Sequence, residues 1–394
     1  MDVLDLARTQ FAVTGSLHFL FVVLTLGLAP LVAIMHTRHA VTGLPVHERM
    51  TRFWGQVYVI NYALGILTGL VMEFQFGLNW SGLSHYAGDV FGAPLAVETL
   101  GAFFLESTFL GLWIFGWHRL PKWLHVACIW LVTLTAYLSA FWIMVANAFL
   151  QNPAGAVERG GHLVLTDVGA LLANPMLLAA LPHVIGAALW AGGFVLMGAS
   201  AYRLFTGTDE REFFTRSLRM GVITALLGSL LTVGSGYFQF APVAEFQPDK
   251  FQGDPLAGIG LGFMILIGQS LQMVILFVLA PTVYWLPRWR WAHPILMLMT
   301  PLPFLAAILG WLAREVGRQP WLIQGRLTVA DAMSPGLTSG MVAASLVAFA
   351  GVLGLLAVAD YALIVRTVRR GPAAVALGAG GPADSTERAH ALSH

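Results

Sequence analysis

Nine apolar stretches, each long enough to cross a bilayer, leave this chain few ways to fold. They run near 11–35, 54–76, 93–117, 123–149, 178–202, 219–241, 257–286, 292–313 and 338–365. Each approaches or exceeds the roughly 20 residues a helix needs to span the hydrocarbon core. In lipid every backbone N–H and C=O must pair inside the protein, so such stretches predict helices. Composition argues against a soluble alternative: only 10% of the 394 residues are charged and mean hydropathy is +0.75, against roughly 25% charged in a soluble domain. The expectation is an all-α integral membrane protein of about nine transmembrane helices. Residues 1–370 form one transmembrane domain. The Gly-, Ala- and Pro-rich stretch 371–394 reads as a disordered cytoplasmic tail.

The first apolar stretch runs to Ile34, too long for the core of a cleavable signal peptide. Fifteen of the 21 Lys and Arg residues fall on one set of loops and the tail, and six on the other. The positive-inside rule then places the N-terminus outside and the C-terminus in the cytoplasm. A net charge of +1 gives no reason to expect a nucleic-acid partner. A single cysteine, Cys128, excludes an internal disulfide and a thiolate-held cluster.

Ionisable side chains inside spans are costly and are read first as functional. The set is His18, Glu73, Glu98, Glu106, His183, Glu315 and Asp360. Glu73 and Asp360 sit near span ends and read as interfacial. With the N-terminus outside, His18, Glu98, His183, Glu315 and the thioether of Met264 come from five helices to one outer depth. Scattered structural residues have no reason to share a depth. Taken singly, each has a plainer explanation: a helix-end His caps or snorkels, and a lone Met is core. Together, two His, one Met and two Glu suit heme iron, because His/Met is an electron-transfer axial pair and a single ligand leaves iron able to bind a gas. A copper-containing oxidase core needs more converging histidines than these spans hold. Glu106 lies eight residues beyond Glu98, roughly 12 Å deeper and on a neighbouring face of a regular helix. The two carboxylates read as part of a proton relay that Ser139 extends from the side.

Several of these residues sit in longer motifs. DLARTQFAVTGSLHFLFVVLT (5–25), FWGQVYVINYALGILTGLVMEFQFGLNW (53–80), FGAPLAVETLGAFFLESTFLGLWIFGW (91–117), LSAFWIMVANAFLQNP (138–153) and GRQPW (317–321) resemble, in the same order, subunit I of the bacterial cytochrome bd quinol oxidases. The resemblance implies a terminal oxidase of the bacterial or archaeal cytoplasmic membrane. It implies three hemes, a low-spin b558, a high-spin b595 and a heme d, that carry electrons from quinol (menaquinol or ubiquinol) to O2 and contribute to the proton motive force. His183 and Met264 correspond to the axial pair of the low-spin heme. His18, Glu98 and Glu315 correspond to ligands of the two high-spin hemes, with the assignment of His18 and Glu98 between them left open. Glu106 and Ser139 match proton-path positions, Trp311 an aromatic between the hemes, and Arg318 a partner for a propionate. The family also implies a second subunit of homologous fold and, in some members, a small single-helix accessory subunit.

The departures gather on the donor side. The outer loop region 237–257 is much shorter than the family's quinol-binding loop. QPDK (247–250) matches its start, which makes Gln247 and Lys250 the quinol-side candidates. Pro255 stands where the family has a glutamate, Gly262 where it has an arginine two residues before the methionine ligand, and Tyr237 where it has an aspartate. These losses motivate an alternative: a bd-like heme protein with a non-quinol donor, or one that handles nitric oxide or another gas. A transporter or scaffold relic fits poorly, because all five candidate ligands remain.

Overall fold

The computed structural model describes residues 2–250 and 255–378. In chain order the elements are α1 (Val3–Thr42), α2 (Pro45–Asn79), α3 (Ser81–Ala87), α4 (Ala93–Val97), α5 (Phe104–Phe115) and α6 (Lys122–Gln151). A hairpin follows, β1 (Ala156–Arg159) and β2 (His162–Leu165), then α7 (Val168–Leu172), α8 (Pro175–Thr206), α9 (Arg211–Phe238) and α10 (Phe240–Phe246). The last group is α11 (Pro255–Val274), α12 (Ala292–Met299), α13 (Leu302–Val316), a short pair β3 (Trp321–Ile323) and β4 (Leu327–Thr328), and α14 (Ser339–Arg370). Strands β1 and β2 pair antiparallel from Ala156↔Leu165 to Arg159↔His162. Gly160 and Gly161, both at positive φ, supply the left-handed turn such a two-residue hairpin needs.

Among the described residues, eight helical stretches are long and apolar enough to cross a membrane. The ninth expected span, 93–117, is broken. A π-helical turn over Glu98–Phe103 separates α4 from the 12-residue α5. The span expected over 257–286 stays helical only to Leu279, and α12 and α13 are separated at Thr300–Pro301.

Small residues let the helices approach where lipid gives them no hydrophobic reason to do so. Gly186 and Gly193 of α8 face Gly228 and Gly221 of α9; a Cβ on Gly193 would stand 2.7 Å from the Gly221 carbonyl oxygen. α1 crosses α8 backbone to backbone, with a Cβ on Gly192 only 2.8 Å from the Gly27 carbonyl carbon. Pro30 interrupts the hydrogen bonding of α1 and frees the carbonyl of Leu26. Tyr137 of α6 donates to that carbonyl at 2.9 Å, which ties the two helices together.

Burial separates inner from outer helices. In α8, 67% of the most apolar window is buried within the chain, but only 11% in the α12–α13 stretch and in α14. The last two therefore present their faces to lipid or to another subunit.

The expected disordered tail needs one correction. Residues 371–378 are docked: Ala376 N–H donates to Gln56 Oε1 at 2.8 Å, His118 Nε2 meets the Gly378 carbonyl at 2.9 Å, and Leu377 is buried beside Trp113. Residues 379–394 lie outside the described residues. Asp360, ten residues before the end of α14, is buried within the chain.

Because α1 and α8 carry His18 and His183, their crossing fixes the distance between the two imidazoles. Gly192→Val forces backbones apart, and overpacking alone costs about 1–3 kcal/mol. The variant is expected to melt at lower temperature and to retain less bound cofactor, measured as the cofactor-to-protein ratio after purification.

Candidate functional site

One cavity of about 900 Å³ runs through the bundle. That is near the upper end for a single ligand pocket. Its wall is mostly apolar, and His18, Glu98, His183, Met264 and Glu315 all line it, as do Glu106, Ser139, Trp311, Lys250 and Arg318. The five expected ligands thus share a chamber.

The two histidines are prepared in the same way. His18 Nδ1 lies 2.8 Å from Thr68 Oγ1, whose own proton goes to the Gly65 carbonyl at 2.6 Å. The hydroxyl has one proton to give, so His18 Nδ1–H must donate to it. His183 Nδ1 lies 2.8 Å from the Thr232 carbonyl, which only accepts. Both rings therefore carry their proton on Nδ1 and keep a lone pair on Nε2. A histidine that ligates a metal is held in this way, with its other N–H committed to the protein. Gly236 makes room for the second ring: a Cβ there would sit 3.0 Å from His183 Nδ1.

Met264 is the tenth residue of α11, and its Sδ rests against Gly310 of α13, where a Cβ would collide with it. The nearby Met273 is 49% exposed on the outer surface and does not line the cavity. Trp311 reaches from α13 to α1, where its ring occupies the space beside Gly15, one turn before His18.

The π turn corrects the expected relation of the two glutamates. A π turn inserts one residue without advancing the helix. The eight residues from Glu98 to Glu106 then behave like seven, about 20° short of two full turns. Both carboxylates consequently face one cavity rather than neighbouring sides. Glu98 accepts from Ser139 Oγ at 2.6 Å and from Thr99 Oγ1 at 3.1 Å. Glu106 is buried and accepts from the Tyr58 hydroxyl at 3.3 Å. Glu73 stands at the same level, exposed, and also accepts from Thr99, at 2.8 Å.

Glu315 lies inside the last turn of α13, not beyond it. Its two oxygens accept from Asn147 Nδ2 at 2.9 Å and Arg318 Nη2 at 2.7 Å. Lys250 is buried within the short outer loop region. Its three N–H donors go to Gln151 Oε1 and Gln247 Oε1, each at 3.1 Å, and to the Arg314 carbonyl at 2.9 Å. Burial, with Arg314 and Arg318 close by, pulls its ammonium well below the ordinary lysine range. Arg318 Nε and Nη1 and Arg314 Nη2 have no hydrogen-bond partner among the described residues. An unpaired buried N–H costs on the order of 1–3 kcal/mol, so these groups call for an anion. Residues 251–254 of the expected quinol loop lie outside the described residues.

Sequence reasoning missed three features. Thr68 was invisible because it meets His18 across 50 positions. Arg314 and Asn147 were passed over, the first because it follows the last residue of an apolar window. At the other end of α1, His36 accepts from Trp113 Nε1 at 3.1 Å and stacks edge-on against His125 at 4.6 Å. The spacing of His36, His39 and His125 along the chain gives no hint of this cluster.

The residues fit a porphyrin. Among the described residues no group of three His, Cys, Asp or Glu could hold a bare metal ion. Instead the ligands stand singly, as they must where a macrocycle supplies the in-plane donors. Unpaired guanidinium N–H groups on the same wall suit propionates. Fold and site together define a multi-span membrane protein built round a redox-cofactor chamber.

The sequence model described as Cytochrome bd terminal oxidase subunit I matches residues 6–253 and 255–372. Cytochrome bd ubiquinol oxidase subunit 1 of Bacillus subtilis (strain 168) is 36% identical, and the alignment covers 94% of each chain. Cytochrome bd-II ubiquinol oxidase subunit 1 of Escherichia coli (strain K12) is 33% identical over 95% of this chain and 98% of its own. These alignments run 446 and 504 positions against 394 residues here, so the relatives carry segments this chain lacks. The structure of bd oxidase from Geobacillus thermodenitrificans has the same fold, with a TM-score of 0.86 at 24% identity, covering 94% of this chain and 99% of that one. The chain belongs to the cytochrome bd terminal oxidase subunit I family.

Thr68→Val removes the acceptor behind His18. Loss of such a partner typically costs 10–100-fold in metal affinity. The expected result is a weakened high-spin heme signal, with the low-spin signal unchanged, in the reduced absorption spectrum.

Proposed function

We propose that this chain is the subunit of a cytochrome bd-type oxidase that oxidises quinol at the outer face of the cytoplasmic membrane and reduces O2 to water. The observation that carries this is the pair of histidines, each with Nδ1–H committed and Nε2 free, in one cavity with Met264 and Glu315. His183 and Met264 would hold the low-spin heme b558. His18, Glu98 and Glu315 would hold the two high-spin hemes, b595 and d. Bound hemes supply single-electron transfer from quinol and the site where O2 is reduced.

The chain's own groups position, shield and move protons. The apolar wall excludes water from the chamber. Trp311 fills the space between α1 and α13. Glu106, with Tyr58, holds a proton at the deeper level, and Glu98, with Ser139, receives it nearer the oxygen site. With the N-terminus outside, these protons come from the cytoplasm, while quinol protons leave on the outer side. Charge is separated without a pump. Gln247 and Lys250 belong to the donor side; Lys250 holds the loop to α6 and α13, and Gln247 is buried between Lys250 and Gln324. A second subunit of homologous fold, with a small single-helix accessory subunit, would cover the outer helix faces.

The test is oxygen consumption by the purified complex with a reduced quinone as sole donor. Turnover is expected, and none with either ubiquinol or menaquinol defeats the quinol reading. The second reading, a non-quinol donor or a gas-handling heme protein, draws on Pro255, Gly262 and Tyr237. It gains if dithionite reduces the hemes and quinol does not.

Three variants check the site. Met264→Leu should abolish the low-spin signal or lower its potential, while Met273→Leu, facing outward, should leave it alone. Lys250→Met removes the three hydrogen bonds that hold the loop and should raise the KM for quinol roughly tenfold, about 1.4 kcal/mol, without altering the dithionite-reduced spectrum.

A further inference from the structure

We propose that Arg314 is the anion clamp for the heme held between His183 and Met264, taking a propionate through its unpaired Nη2. The inference rests on reading the cavity as a heme chamber.

Arg314 follows Gly310 by four residues in α13, so the two share a helix face. Gly310 is where the Met264 sulfur comes to rest. Arg314 Nη1 donates to Gln239 Oε1 at 3.4 Å, one residue past the end of the helix that supplies the Thr232 carbonyl to His183. Arg314, His183 and Met264 all line the one cavity. The Nη2 group is buried and has no partner among the described residues.

The adjacent acid does not neutralise it. Asn147 stands between them, its Oδ1 accepting from Arg314 Nε at 2.7 Å and its Nδ2 donating to Glu315 Oε1 at 2.9 Å. Glu315 pairs instead with Arg318, at 2.7 Å. Among the described residues, the Arg314 and Arg318 guanidiniums thus stand against the single carboxylate of Glu315. A dry wall does not hold surplus cations without an anion to meet them. Heme brings two carboxylates on its edge, and a guanidinium fork matches a carboxylate. Arg318, paired with Glu315, serves the high-spin side. α11, the helix of Met264, carries no charged residue at all. The helix packed against it is α13, and Arg314 brings a guanidinium from there to the cavity wall.

The test uses Arg314→Gln and Arg314→Lys in the complete oxidase, with heme midpoint potentials read by anaerobic spectroelectrochemical titration. Removing a positive charge beside the iron favours the ferric state. Arg314→Gln should shift the one-electron equilibrium of the low-spin heme at least tenfold toward oxidised, about 59 mV lower. Arg314→Lys should shift it in the same direction by less, and the high-spin hemes should keep their potentials. An unchanged low-spin potential in Arg314→Gln, or a shift confined to the high-spin hemes, overturns the proposal. If the Gln variant does not assemble, the Lys variant decides: a lowered low-spin potential supports the clamp and an unchanged one overturns it. A wild-type complex that lacks a low-spin heme defeats the chamber reading itself, which is a separate failure.

Discussion

The chamber depends on where two protons sit. An imidazole in lipid has to give its N–H to some acceptor, and whichever nitrogen gives it leaves the other with a lone pair. Behind His18 that acceptor is the Thr68 hydroxyl, already oriented by the Gly65 carbonyl. Behind His183 it is the Thr232 carbonyl. Both arrangements come from helix packing: α2 against α1, and α9 against α8. The glycines that let these helices touch are therefore part of the ligand geometry.

Charge follows the same economy. The carboxylates divide into two kinds. Glu98 and Glu106 accept from neutral hydroxyls of Ser139, Thr99 and Tyr58. Such partners allow a carboxyl to gain and lose a proton. Glu315 instead meets a guanidinium and an amide, which holds it as an anion suited to ligation. The π turn is what brings Glu98 and Glu106 to one side of the chamber. Regular helix geometry would have turned them apart.

How much of this was legible depended on the range of the interaction. Hydropathy is local, so eight of the nine stretches appear as long apolar helices. The ninth holds a π turn that no residue pattern around Glu98 announces. The ligand residues stood out because ionisable groups are rare in spans, and the long motifs carried the family resemblance. Their supporting partners did not stand out, since Thr68, Asn147 and Gln151 are ordinary residues whose roles arise only on packing. Lys250 and Arg318 carried an expected role only through the family resemblance, and Arg314 was an outer-loop charge with none. All three line the cavity. The tail was misjudged for a related reason: a Gly- and Ala-rich composition does not reveal that Leu377 finds a place beside Trp113.

The most direct test is an experimental structure of the purified complex with its cofactors, at a resolution that places iron. Iron is expected at His183 Nε2 and Met264 Sδ, a second iron at His18 Nε2, and Nδ1 of each ring still bonded to Thr232 and Thr68. Iron on either Nδ1, or a chamber with no iron near His183, would contradict this expectation.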